Sequence, residues 1–320
     1  MMWRPSASLE QLRLRARLLA TTREFFDSRG ALEVDTPALV NHGVTDINLD
    51  SAEVRCGART GFLHTSPEYA MKRLLAAGSG DIYQLCHVVR GDECGRHHNP
   101  EFMLLEWYRV GWTMDALIDE VAELFNAVVV AAGRSARALQ RIRYQEAFHT
   151  HFGFDPIATP TQTLSQCSIN NGLDADAAAS LSRDGLLDFL IGVALGPTLG
   201  QDRWVALTHY PASQAALAEL DPQDPRVALR FEFYGNGIEL ANGFQELGHA
   251  GQQRERFIAD NAARLERGLP TRALDEYLLT ALEHGLPPCS GVAVGFDRLL
   301  MVASDAQHIR DVMTFTTEHA

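Results

Sequence analysis

Residues 81–111 read DIYQLCHVVRGDECGRHHNPEFMLLEWYRVG. Two runs rich in β-branched, aromatic and large apolar residues, Ile82 to Arg90 and Glu101 to Val110, flank a loop of Gly, Asp, Glu, Arg, His and Asn. That pattern predicts an antiparallel hairpin with a long polar tip. The tip holds Arg90, Arg96, His97, His98 and Asn99 beside Asp92, Glu93 and Glu101. A solvated connector does not need so many hydrogen-bonding groups. A site that grips a polyanion and the edge of a heterocycle does, because Arg forks match phosphate oxygens and carboxylates or carbonyls match ring amines.

On the N-terminal side, Thr65-Ser-Pro-Glu-Tyr-Ala-Met-Lys-Arg-Leu-Leu starts a helix, with Ser66 as cap and Pro67 in the tolerant first turn. Glu68 in that turn is accounted for by the helix dipole alone. Residues 44–64 read as short strands and turns. Earlier still, Ser8 and Gln11 form a capping-box pattern, and Leu12, Ala16, Leu19 and Phe26 keep helical spacing up to Gly30. Alternation from Leu32 to Pro37 then predicts a strand running to an edge.

On the C-terminal side, helical patterns cover Met114 to Ala132 and Leu181 to Ala194 within a span, roughly 112–220, that carries no chemical signature. It reads as an insertion or lid, with His149, His151 and His209 as structural or surface residues. Signal returns at Arg230 to Leu247. Phe231 to Tyr234 is a strand, Gly235-Asn236-Gly237 a tight turn and Ile238 to Ala241 the returning strand. Glu232, Glu239 and Glu246 are either solvent-facing sheet residues or ligands for Mg²⁺ and a substrate ammonium. Helical patterns follow at Ala262 to Arg267 and Leu274 to His284. In Cys289-Ser-Gly-Val-Ala-Val-Gly-Phe-Asp-Arg-Leu-Leu-Met-Val a short apolar strand turns at Gly295 into a helix opened by Asp297-Arg298.

The chain has 320 residues and a formal charge of -13, which argues against a general polyanion binder while leaving room for a local basic cleft. Its five cysteines include no C-x-x-C pair, so neither a disulfide framework nor a zinc knuckle is expected, and a reducing cytoplasm is the natural compartment. The N-terminal stretch has arginines scattered through it, unlike a signal peptide. Val121 to Ala132 is too short and too interrupted to span a membrane.

Together these pieces resemble the class II aminoacyl-tRNA synthetase core, its lysyl branch most closely, over nearly the whole chain. The first helix with Glu33-Val-Asp-Thr-Pro37 is similar to the first class motif, the hairpin to the second and Gly291 to Arg298 to the third. The resemblance implies an α+β fold, a mainly antiparallel sheet flanked by helices, as one catalytic domain over 1–320 with the insertion or lid inside it. It implies a homodimer built through the first motif, and ATP with Mg²⁺ as reactants. Arg90 and Arg298 are then the catalytic cations. Arg90, Gly91, Asp92, His98, Asn99, Phe102, Glu239, Leu240, Gly295 and Arg298 surround ATP, with the adenine between Phe102 and Arg298. Glu232 and Glu239 hold the metal. Ser66, Pro67, Glu68, Tyr108, Glu246 and Ala293 form the amino-acid pocket, with Glu68 near the amine beside the carboxylate and Glu246 with Tyr108 at the distant ε-ammonium.

Two features point within the branch. No OB-fold anticodon domain is expected before a core helix that begins within the first ten residues, so tRNA is not the expected partner. Ala293 stands where lysyl-tRNA synthetases typically have Gly, and one added methyl is worth about 1 to 3 kcal/mol of discrimination at most. With SPEYAMKRLL, HYPASQAALA and GIELANGFQEL, these features resemble the stand-alone paralogues of the branch. That resemblance implies activation of (R)-β-lysine and its transfer to a lysine ε-amine of elongation factor P. A truncated synthetase that charges tRNA and a catalytically silent paralogue are the rival readings. The second is disfavoured because Arg90, Arg298, Glu232, Glu239 and Glu246 are all present. Asp92 stands where the family usually has Glu, and either Asp92 or Glu93 can meet the adenine amine.

Overall fold

The computed structural model describes residues 3–91 and 93–320. Asp92, assigned above to the adenine, lies outside them. The chain forms two compact units, one of Met1–Ala136 with Glu246–Ala320, the other of Arg137–Gln245.

In the first unit, α1 (Leu9–Asp27) starts where the sequence predicts, with Ser8 Oγ accepting from the Gln11 amide at 3.2 Å. It buries Leu18, Thr22, Phe25 and Phe26. The strand expected up to Pro37 is only β1 (Leu32–Glu33), extended by a bond from the Val34 amide to the Tyr83 carbonyl. Proline lacks the donor a longer ladder would need. β2 (Leu39–Val40), β3 (Glu53–Cys56) and β4 (Arg59–Leu63) form a small antiparallel sheet in the order β2-β4-β3. Next come α2 (Glu68–Ala76), then the hairpin strands β5 (Ile82–Val89) and β6 (Glu101–Val110), in register from Ile82↔Tyr108 to Val89↔Glu101. β1 joins β5 in parallel.

β6 is buried on both faces, so its alternation separates two jobs. Trp107 and Arg109 face one way. Trp107 Nε1 donates to Glu120 at 2.9 Å, and Arg109 forks onto Glu120 and reaches Asp81 at 3.1 Å. Glu120 belongs to α3 (Met114–Ala131), capped by Thr113. Phe26 of α1 stacks on Tyr83 at 4.5 Å on the same side. The opposite face carries Glu106 and Tyr108.

In the second unit, β7 (Leu139–Arg143) leads to four helices, α4 (Tyr144–Phe152), α5 (Thr161–Asn170), α6 (Ala175–Ser180) and α7 (Arg183–Leu190). The last runs into a π-helical turn, Ile191–Leu195. β8 (Trp204–Pro211), β9 (Val227–Gly235) and β10 (Ile238–Gln245) complete a sheet in the order β7-β8-β9-β10, parallel only at β7 and β8. Its core gathers Tyr144, Phe148, Leu186, Leu190, Leu207 and Tyr234. The β9–β10 hairpin turns at Asn236 (φ 53°) and Gly237 (φ 72°), the paired positive angles that a two-residue turn needs.

The chain re-enters the first unit through α8 (Ala250–Glu266), α9 (Glu276–Gly285), β11 (Cys289–Gly295) and α10 (Phe296–Ser304). β11 pairs antiparallel with β6, giving the order β1-β5-β6-β11. The division at 137 and 245 differs from the span of roughly 112–220 read from the sequence. α3 packs in the first unit because its apolar stripe is needed behind β6, and β9 and β10 belong with β8. No helix among the described residues is long and apolar enough to cross a membrane.

Candidate functional site

Register across β5, β6 and β11 places side chains in three rows on one face: Ile82, Tyr108 and Gly291; Gln84, Glu106 and Ala293; Cys86, Leu104 and Gly295. Directly opposed residues share a face. α2 lies over this face, since Met71 and Leu75 pack with Ile82, Tyr108 and Cys289. The turn entering α2 and its first two turns therefore bring Ser66, Glu68 and Lys72 over the same rows.

There they form a buried acid cluster. Tyr108 OH donates to Glu106 Oε1 at 2.6 Å, and Ser66 Oγ donates to Oε2 at 2.7 Å while accepting from the Glu68 amide at 3.0 Å. Lys72 Nζ stands 2.6 Å from Glu68 Oε1 and 2.6 Å from Glu246 Oε2. Glu246 is fixed by its own amide, which donates to the Cys289 carbonyl at 3.0 Å. Neither Glu246 oxygen accepts a well-directed hydrogen bond from the described residues, although the ion pair is close. Gly291 makes the approach possible, since a Cβ there would overlap the Tyr108 ring and Glu246 Oε1. Pro67 is buried at the α2 N-cap and makes no side-chain cap.

Three carboxylates and one ammonium leave the cluster short of positive charge, with Glu106 and Glu246 almost fully buried. Burial, with the charge of Glu68 next, raises Glu106 to about 7. Burial also raises Glu246, to about 8, against the lowering effect of Lys72. Lys72 itself is held firmly protonated, its burial outweighed by Glu246 and Glu68. What the cluster can do is accept another cation with several N–H donors.

Farther along the rows lies the basic end. Arg90 extends from β5 with Nε on the Thr65 carbonyl at 3.3 Å, Nη1 on Glu93 at 3.3 Å and its guanidinium 5.2 Å from the Phe102 ring centroid. Arg298, at the start of α10, donates from Nε to the His97 carbonyl at 3.2 Å. Burial, then the Arg298 charge, lowers His98 from its ordinary value. A Cβ at Gly295 would meet only the Arg298 side chain, at 3.6 Å or more, so nothing in the chain itself requires glycine there. Gly91 has open space around it. Asn99 spends its amide on the chain: Nδ2 donates to the Glu101 carbonyl and Thr317, and Oδ1 accepts from the Thr317 amide.

In the second unit, Glu232 and Glu239 lie on adjacent strands. Glu239 opposes Tyr234, the next residue on Glu232's face, so the two acids are diagonal neighbours. Glu232 is ion-paired with Arg230 at 2.6 Å and accepts from Tyr234 OH at 2.7 Å. Leu240 is buried at the bulge between Glu239 and Ala241. No group of three or more His, Cys, Asp or Glu side chains placed to hold a metal ion among themselves occurs among the described residues. Two carboxylates fit a Mg²⁺ ion that takes its remaining oxygens from water and phosphates.

A family model for class II tRNA synthetases (D, K and N) matches residues 1–319. The chain belongs to this class II family. Within it, the chain is 47% identical over 324 residues to elongation factor P--(R)-beta-lysine ligase of Pectobacterium carotovorum subsp. carotovorum, covering 99% of this chain and 98% of that one. Proteins with the same name from Pasteurella multocida and Klebsiella pneumoniae are each 46% identical over 324 residues, with the same coverage.

In this member of the class II family the structure brings Ser66, Glu68, Tyr108, Glu246 and Ala293 together within one unit. It adds Glu106 and Lys72. Both were legible: Glu106 lies two residues before Tyr108 on a strand, hence on its face, and Lys72 lies four after Glu68 on a helix. The Phe102 ring lies by Arg90; its pairing with Arg298 across an adenine stays with the function proposed next.

Proposed function

We propose that this enzyme activates (R)-β-lysine with ATP as an aminoacyl-adenylate and transfers the β-lysyl group to the ε-amine of a lysine on elongation factor P. The observation that carries the reading is the buried Glu68–Glu106–Glu246 cluster beside Tyr108 and Ala293, built for an amino acid bearing an extra ammonium. The names of relatives matched along the whole chain support the same substrate and acceptor.

In the first step a substrate carboxylate oxygen attacks the α-phosphorus of ATP and pyrophosphate leaves. Arg90 and Arg298 are the cations matched to charge spread over the phosphoryl oxygens, so catalysis rests on positioning and electrostatics. Phe102 and Arg298 enclose the adenine, with Asp92 or Glu93, His98, Asn99, Gly91 and Leu240 around the nucleotide. Glu239 and Glu232 would hold Mg²⁺, which neutralises phosphate charge when bound. In the second step the acceptor ε-amine attacks the adenylate carbonyl, AMP leaves and an amide forms. Two copies pair through the α1–Pro37 segment, and the enzyme works in the cytoplasm with its acceptor.

Intact-mass measurement of elongation factor P, after incubation with enzyme, ATP, Mg²⁺ and either (R)-β-lysine or α-lysine, tests the reading. The expected result is addition of one β-lysyl group, faster with the β-isomer. Charging of tRNA with no change in the mass of elongation factor P would overturn it.

A further inference from the structure

Gln84, at the third position of β5, is 1% exposed, and both ends of its amide lack a hydrogen-bond partner among the described residues. The weakly polar Cys86 thiol, two residues along the same face, lies close enough for the amide to act on it, a contact that does not reach hydrogen-bond geometry. Buried amides left this way are rare and costly, and an apolar side chain of equal size would avoid the cost. Packing alone therefore does not account for a glutamine here.

Its place in the sheet does. Gln84 opposes Glu106, and Glu106 opposes Ala293. The amide thus projects into the row that floors the acid cluster, where both Glu106 oxygens already accept from hydroxyls. The Tyr108–Gly291 row lies two residues away on one side and the Leu104–Gly295 row two residues away on the other, each about 7 Å off at the rise of a strand. On the activity proposed above, the far ammonium belongs to the first of these rows and the nucleotide to the second. The middle row then faces the carbons next to the reacting carboxylate, where α- and β-lysine differ.

We propose that Gln84 is a specificity-determining residue of the amino-acid pocket, accepting through Oε1 from the ammonium next to the reacting carboxylate and so reading which carbon bears it. An amide suits that position chemically. Its oxygen accepts from the ammonium and its nitrogen donates to the carboxylate, whereas another carboxylate would repel the latter. The inference rests on the proposed activity, and one assay separates the two.

ATP–pyrophosphate exchange is measured for the wild type, Gln84→Met and Gln84→Asn, with α-lysine and with (R)-β-lysine. Gln84→Met keeps the volume and removes the hydrogen bonds. It should raise KM for (R)-β-lysine at least tenfold, leave KM for ATP unchanged and bring the isomer ratio of kcat/KM towards one. Its thermal midpoint should equal or exceed the wild type's, since a buried unpartnered amide is gone. Gln84→Asn keeps a buried amide but withdraws it by one methylene, and should lose the same discrimination even if the Met variant does not fold. An unchanged isomer ratio in a folded variant, with an active wild type, overturns the role of Gln84 and leaves the activity standing. A wild type without lysine-dependent exchange overturns both.

Discussion

Lys72 and Glu246 form a buried ion pair at 2.6 Å with both side chains 1% exposed, and the same ammonium bridges to Glu68 at 2.6 Å. An enzyme proposed to take a lysine isomer thus keeps one of its own lysines inside the pocket. Its charge offsets one of three carboxylates, and the balance is left for the substrate. The bridge also fixes Glu68, from a helix, relative to Glu246, which follows a strand end, so that two acids from separate elements hold a constant spacing.

Removing that cation should be felt in stability and in substrate binding alike. Breaking a buried pair by deleting one partner costs about 3–5 kcal/mol, because an uncompensated charge is left behind. Lys72→Met should lower the urea midpoint by a corresponding amount at pH 8 and by less at pH 6, where Glu106 and Glu246, raised to about 7 and about 8, hold their protons. KM for the amino acid should rise at least tenfold with KM for ATP unchanged. A variant as stable as the wild type at pH 8 would show that the bridge contributes little.

The same cluster predicts a dependence on pH with a definite sign. Burial first, then neighbouring acids, holds Glu106 and Glu246 above the ordinary carboxylate range, to about 7 and about 8. The folded protein therefore binds protons that the unfolded chain has already released. Their contribution to stability is complete below the unfolded carboxylate range and is lost as pH rises through about 7 to 8, by at most about 1.4 kcal/mol per pH unit for each proton. Ligand-free protein should weaken between pH 6 and 9, and saturating lysine isomer should flatten that slope. Over the same interval KM for the amino acid should fall, because the ionised acids receive the ammonium. Chemical denaturation with and without ligand, alongside initial rates, measures both.

The face behind the site supplies a contrast. Arg109 is as buried as Lys72, yet its guanidinium is spent on Glu120 and Asp81, behind β6 and away from the acid rows. Arg109→Leu should destabilise the protein by about 3–5 kcal/mol, the cost of stranding Glu120. The KM values of the folded fraction should stay at wild-type levels at low temperature, where that fraction is large. A changed amino-acid KM would mean that the two faces of β6 are coupled.

How much of this was legible follows from where the signals live. The α1 cap, the 81–111 hairpin and the β11–α10 corner are local patterns, written in capping residues, alternation and a strand-to-helix glycine, and they appear at or near the expected places. β7 and β8 were not read, because Leu139–Arg143 owes its strand state to a parallel partner distant in sequence. In the site, charges at motif positions were legible, whereas the partner of each charge was not. Only register and helix packing show that Lys72 meets Glu246, or that Asn99 is spent on Thr317. Gln84 was invisible for the same reason: a polar residue in a strand looks solvent-facing until the sheet is closed over it.

The two glycines of β11 separate packing from ligand space most cleanly. At Gly291 an added methyl would overlap the Tyr108 ring and Glu246 Oε1, both fixed and buried, so neither can yield cheaply. Overpacking of this kind costs typically about 1–3 kcal/mol. Gly291→Ala should therefore lower the thermal midpoint and abolish saturable amino-acid dependence. At Gly295 the methyl would touch only the flexible Arg298 side chain at 3.6 Å, an ordinary contact. Gly295→Ala should leave stability within about 0.5 kcal/mol of wild type, as for substitutions that disturb no packed group. It should raise KM for ATP several-fold, since the space it fills is assigned to the nucleotide. Thermal unfolding with exchange kinetics for both variants decides the matter: a destabilised Gly295→Ala, or a Gly291→Ala with intact lysine binding, would reverse the assignment of the two rows.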